Sequence, residues 1–146
     1  MKKIVCLLAF AIASFSVVSA QDYNWGVGVR IGGGTGGASV KYKFNTANAI
    51  EGIMSAYWTN GFVVTALYER YVPVLGRGFH FYYGAGAHIG SWKKNFAFGV
   101  DGIIGLEYKF KDVPLALSLD YKPALNLFEK TKFQWADIAL GIRVTF

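Results

Sequence analysis

Asp137-Ile138-Ala139-Leu140-Gly141-Ile142-Arg143-Val144-Thr145-Phe146 decides the fold. Ile138, Leu140, Ile142, Val144 and Phe146 fall on one face of an extended chain. Asp137, Ala139, Gly141, Arg143 and Thr145 fall on the other. Side chains alternate faces with a period of two only in a β-strand, so this segment is a strand with one apolar and one small or charged face. Working back along the chain, the same alternation recurs. Phe96, Phe98, Val100, Ile104, Leu106, Tyr108 and Phe110 oppose Asp101, Glu107 and Lys109, and Val40, Tyr42 and Phe44 oppose Ser39, Lys41 and Lys43. Punctuated by turn residues, the pattern predicts eight strands. These are Trp25–Gly32, Ala38–Asn45, Ala49–Trp58, Phe62–Tyr71, Phe79–Gly90, Phe96–Phe110, Leu115–Pro123 and Trp135–Phe146.

The charges separate by face. Arg30, Lys41, Lys43, Lys109, Lys122 and Arg143 share a face with Glu51, Glu69, Asp101, Glu107, Asp120 and Asp137, six bases against six acids. Gly28, Gly84, Gly86, Gly99, Gly105 and Gly141 fall on that same face, while the opposite face carries one charge, Arg70. A soluble barrel would invert this arrangement. Small and charged suits a crowded interior, and bulky apolar suits lipid. In hydrocarbon every backbone donor and acceptor needs a partner, so a spanning sheet must close on itself. Strands of about 9–11 residues suffice to cross. The expectation is all-β: an eight-stranded antiparallel up-and-down transmembrane β-barrel with short loops. A charge on its lipid face costs about 2–4 kcal/mol at mid-membrane and little near the interfaces, which places Arg70 at a strand end. Aromatics should mark the two rims: Trp25, Phe44, Tyr68, Phe79, Tyr108, Phe110 and Phe146 at one, Trp58, Trp92, Phe133 and Trp135 at the other.

Composition agrees with this class. The chain has 146 residues, enough for one domain, with 17% aromatic and 16% charged residues, fewer charges than soluble domains carry. Met1–Ala20 reads as a secretory signal peptide. Lys2 and Lys3 precede an apolar core from Ile4 to Val18, and Val18-Ser19-Ala20 supplies small residues for cleavage. The barrel domain is then Gln21–Phe146. Cys6, the single cysteine, leaves with the signal segment, which excludes disulfides, zinc–thiolate sites and cysteine nucleophiles from the rest.

Gly141-Ile142-Arg143-Val144-Thr145-Phe146 resembles the terminal signal of bacterial outer-membrane barrels, with Gly141, Val144 and Phe146 at the positions that their assembly machinery reads. Ala139 stands where that pattern has a polar residue. The segment from Gln21 onward resembles the small eight-stranded OmpX- and OmpA-type barrels of the kind found in Bacteroidota. Gly84–Gly90 and Asp101–Tyr108 carry that likeness. The resemblance implies an integral protein of the outer membrane, in contact with lipid and lipopolysaccharide and inserted by the barrel-assembly machinery. Fold alone implies no activity.

An eight-stranded barrel has an interior just wide enough for side chains to fill, so the balanced charges predict an ionic network plugging the lumen. Strand direction places Lys43, Glu51, Glu69, Glu107, Lys109 and Arg143 toward the periplasm. Lys41, Asp101, Asp120, Lys122 and Asp137 are expected at mid-height or above, with Arg30 near the outer end. His80 and His88 also face inward. His88 with Ser91 and Asp101 admits a hydrolytic triad or, more plainly, a hydrogen-bonded interior histidine. Gly32-Gly33-Gly34-Thr35-Gly36-Gly37 matches a dinucleotide fingerprint in letters, but the following residues alternate as a strand rather than a helix, so it reads as a flexible hairpin loop. No cofactor or metal is expected. The outer connections Gly33–Gly37, Thr59–Gly61, Ser91–Asn95 and Ala124–Phe133 are short. Lys93, Lys94, Lys130 and Lys132 make that rim basic, which suits lipopolysaccharide phosphates or ordinary solvation equally. The expected function is non-enzymatic: membrane integrity, or an accessory subunit of a larger outer-membrane complex, with no nucleic-acid partner. A lipid-modifying enzyme and a narrow pore are the alternatives.

Overall fold

The computed structural model describes residues 24–58, 61–73, 78–92, 94–127 and 132–146, with the side chains of 73, 92, 95 and 132–136 left outside the description. The segment 1–20 also lies outside. Eight strands run in chain order: β1 (Trp25–Gly32), β2 (Thr35–Lys43), β3 (Asn48–Tyr57), β4 (Gly61–Pro73), β5 (Phe79–Trp92), β6 (Asn95–Lys109), β7 (Leu115–Asn126) and β8 (Lys132–Thr145). Each pairs antiparallel with its neighbours in sequence, and β8 returns to β1, so the sheet is a closed all-β barrel. At the seam, Gly26 faces Thr145 and Gly32 faces Ala139. Beyond the paired strands, Trp25 N donates to Phe146 O and Phe146 N to Trp25 O, both at 2.9 Å.

Polarity is inverted relative to a water-soluble domain. Arg30, Arg143, Lys41, Glu51, Glu69 and Glu107 rank among the largest fully buried side chains, whereas Ile31, Phe96, Ile138 and Leu119 are more than half exposed. Along β3 and β4 burial switches at every residue, as the alternation predicts. A small apolar cluster of Ala49, Ile53, Leu67, Tyr71, Tyr82 and Ile103 shares the interior with the charges. The rim that carries the chain ends is aromatic. Trp25 packs on Tyr42 with ring centroids 4.7 Å apart, Phe79 on Tyr108 at 4.6 Å, and Tyr108 edge-on to Phe110 at 4.8 Å. At the same rim Asn45 shapes the β2–β3 turn by accepting hydrogen bonds from the backbone of Ala47 and Asn48 at 2.9 and 2.8 Å.

Three boundaries shift by three residues from the sequence reading, and one of them is the start of β8, at Lys132 rather than Trp135. β2 begins at Thr35, so Thr35, Gly36 and Gly37 pair with Tyr57, Ala56 and Ser55, and the glycine run is half strand. Ring atoms of Trp58 cover Gly36, where a Cβ would lie 2.7 Å from the indole. β7 does not stop at Pro123 but continues to Asn126. Proline lacks an N–H, and the chain absorbs this with a β-bulge, the β7–β8 register shifting between Lys122 and Ala124.

Candidate functional site

The inward positions of all eight strands converge on the lumen, where the ionisable side chains form three groups. Arg143 on β8 organises the group nearest the chain ends. Its Nε donates to Ser39 Oγ at 3.0 Å, and its Nη1 donates to Ser118 Oγ at 2.9 Å and Glu107 Oε2 at 3.4 Å. Nη2 is bonded to Glu51 Oε1, which also accepts from Ser39 Oγ at 2.7 Å. Beside it lies Lys41, whose Nζ is 2.7 Å from Glu69 Oε2, 3.4 Å from Glu51 and 3.8 Å from Glu107. Lys41 also donates to Tyr71 Oη at 2.7 Å, and the Tyr71 hydroxyl in turn donates a hydrogen bond to Glu107 Oε2 at 3.1 Å. The Tyr71 ring stacks on Tyr82 with centroids 5.2 Å apart. The ammonium of Lys43 lies 4.2 Å from the Tyr71 centroid, a cation–π contact.

Lys41 therefore belongs to the inner group and not at mid-height or above. It faces Glu51 directly across the β2–β3 ladder, and its four-carbon stem reaches Glu69 and Glu107 on other strands. Lys109 differs in another way. It is buried, but its ammonium caps the carbonyl oxygens of Phe110 and Val113 at 2.8 and 3.2 Å, closing the β6–β7 connection under the lumen.

The second group is centred on Arg30. Its Nε and Nη2 fork onto Asp120 at 3.1 and 2.5 Å, and its Nη1 reaches Asp137 at 2.8 Å. Thr35 Oγ1 donates to Asp137 at 2.6 Å, and Tyr82 Oη donates to Asp120 at 3.2 Å. Tyr82 thus ties the two groups together, since its ring also lies 4.5 Å from Lys41 Nζ. Gly105 makes room for it, for a Cβ there would lie 2.6 Å from Tyr82 Cζ.

The third group lies toward the other mouth of the barrel from Arg143. His88 Nδ1 is 2.5 Å from Asp101 Oδ1, and its Nε2 is 2.7 Å from Asn126 Oδ1. Lys122 Nζ donates to Asp101 Oδ2 at 3.3 Å. A recess of about 30 Å³ adjoins His88, lined also by Tyr57, Phe62, Ser91 and Asn126, with space for a single water. The hydrolytic triad is not assembled. Asn126 occupies the ring nitrogen that would activate a serine, and Ser91, three residues along β5, is exposed on the other face of the strand. His80 is separate from this group: its Nδ1 lies 3.2 Å from Gly78 O and its ring meets Tyr71 edge-on.

Among the described residues no cluster of three or more His, Cys, Asp or Glu side chains is arranged to hold a metal ion. Of the four lysines expected to make one rim basic, Lys94 is exposed at a left-handed φ of 70°. Lys93 and Lys130 lie outside the described residues, as does the side chain of Lys132.

Sequence reasoning put Ser39 on the charged face without giving it a role and passed over Tyr71, Tyr82, Ser118 and Asn126, the other neutral groups that join the charges. A signal was present for the tyrosines. Both fall on the charged face by parity, Tyr71 with Glu69 and Tyr82 with His80 and His88. The arrangement can hold the lumen shut, because every described strand contributes at least one side chain to it. Compared with known proteins, the chain matches no family model, no curated sequence and no solved structure, so the lumen must be read from its own geometry.

Proposed function

We propose that this barrel is an integral outer-membrane protein with a structural or accessory role, maintaining the membrane or standing beside a larger assembly, and neither an enzyme nor a channel. The observation that carries this reading is the inverted polarity: a closed sheet with an apolar outer wall around a lumen cross-linked by Arg30, Lys41, Arg143 and their carboxylates. In water such a wall would be a large exposed apolar surface of the kind that drives association, whereas in hydrocarbon it is the stable arrangement. The resemblance to OmpX- and OmpA-type barrels supports the same placement. It adds export through the segment Met1–Ala20, insertion by the assembly machinery through Gly141, Val144 and Phe146, and lipopolysaccharide at the Lys-bearing rim.

A lumen of paired ions resists solute passage, since each step would separate a buried charge from its partner. In planar bilayers the purified barrel should therefore give no unitary conductance steps. Steady single-channel openings would sink the plugged reading. The lipid-modifying alternative predicts a changed lipid A profile when the protein is lost, and identical profiles are expected. For the accessory role, gentle extraction followed by native gel electrophoresis should place the barrel in a band much larger than itself. Migration alone would leave the membrane-integrity role, read as altered permeability in cells lacking it.

A further inference from the structure

Among the described outward-facing strand positions, one side chain is charged: Arg70 of β4. It lies three residues before Pro73, at the end of β4 nearest the chain termini. Register sets its neighbours on the outer wall, Asn48 of β3 on one side and Tyr83 of β5 on the other. Tyr68, the preceding outward residue of β4, donates its hydroxyl to Asn48 Oδ1 at 3.0 Å, and the Asn48 amide donates to Asn45 Oδ1 at 3.1 Å. That local chain is complete without Arg70. The strand acids beside it, Glu69 and Glu51, are buried on the opposite face. Neither the Arg70 guanidinium nor the Tyr83 hydroxyl has a hydrogen-bond partner among the described residues, and both are exposed. Two donors thus stand on directly paired positions of adjacent strands, with no acceptor among the described residues, on a wall that carries no other described charge.

We propose that Arg70 and Tyr83 form a binding site for the phosphodiester of a glycerophospholipid in the leaflet at the termini end of the barrel. This rests on the apolar wall facing membrane. Guanidinium matches phosphate oxygens with paired parallel N–H donors. A tyrosine at the interface keeps its ring among acyl chains and its hydroxyl at headgroup level. Val72 and Ile50 flank the donors with apolar surface for the acyl chains.

The test uses the full barrel folded in a neutral detergent, with phosphatidylglycerol as the probe and diacylglycerol of the same chains as the phosphate-free control, both followed by native mass spectrometry. The expected result is preferential retention of phosphatidylglycerol, weakened about tenfold by Arg70→Gln and less by Tyr83→Phe, as loss of a charge-assisted and of a neutral hydrogen bond respectively. Equal retention by Arg70→Gln, or diacylglycerol bound as tightly as phosphatidylglycerol, overturns the proposal. Displacement of the lipid by millimolar inorganic phosphate overturns the lipid and leaves a free-phosphate site. Insertion of wild-type barrel into neutral phosphatidylcholine vesicles is measured in parallel. Failure there would refute the membrane-facing wall itself, whereas insertion with unchanged lipid retention in Arg70→Gln refutes this site alone.

Discussion

Arg143→Met is expected to lower the unfolding free energy by about 3–5 kcal/mol, the usual cost of removing one partner from a buried ionic group. Methionine nearly fills the space, so the loss is electrostatic rather than a cavity effect. Arg143 donates to Ser39, Ser118, Glu107 and Glu51. Without it Glu51 keeps Lys41 Nζ at 3.4 Å and the hydroxyl of Ser39, while Lys41 must also serve Glu69 and Glu107. Three buried acids then share one lysine. Adding Glu51→Gln to Arg143→Met should recover part of the loss, because the double variant removes an orphaned charge. Urea unfolding in detergent, followed by the mobility difference between folded and heat-denatured barrel, provides the measurement. An unchanged midpoint in the single variant would show that the lumen charges do not hold the fold together.

Gly86→Val should abolish folding altogether. Gly86 sits on the inward face of β5 opposite Leu67 of β4. A Cβ there would strike the carbonyl oxygen of Ala66 and lie 2.8 Å from Leu67 Cα. Both obstacles are backbone, so relief requires parting the β4–β5 ladder rather than turning a side chain. The cost therefore exceeds the ~1–3 kcal/mol of ordinary overpacking. Gly52 is the control. It faces outward, its nearest neighbour to an added Cβ is Val40 O at 4.0 Å, and Gly52→Ala should fold as the parent does. Recovery of a folded, heat-shifted Gly86→Val barrel would mean that β4 and β5 can move apart more easily than their pairing implies.

Strand number and facing were legible in the sequence because each depends on a single strand read alone. Asp101, Glu107 and Lys109 declare the inner face of β6 without reference to any other element. What lay beyond the sequence depended on neighbours. Gly36 and Gly37 looked like loop because glycine is common in loops, yet β3 and the Trp58 ring hold them in a strand. Pro123 looked like an end because it cannot donate, yet the bulge on its β8 side accommodates it. Which charges meet was hidden for the same reason. Lys41 reaches Glu69 across the lumen, a contact fixed by how far each strand is staggered against the next rather than by any one strand's pattern. Tyr82 was hidden by its residue type, since a tyrosine in a barrel reads as girdle until its parity is followed.

The seam between β1 and β8 carries a consequence for how the molecule comes into being. Strands from opposite ends of the chain complete the cylinder, through Gly26 with Thr145 and Trp25 with Phe146. Until the last of them is in place, the growing product is an unfinished sheet with two raw borders, each able to template pairing with another copy. Manufacture is all-or-nothing: a chain short by one strand is not a slightly weaker barrel but an adhesive ribbon. The risk is greatest just before completion, when both borders are fully formed and neither has yet met the other.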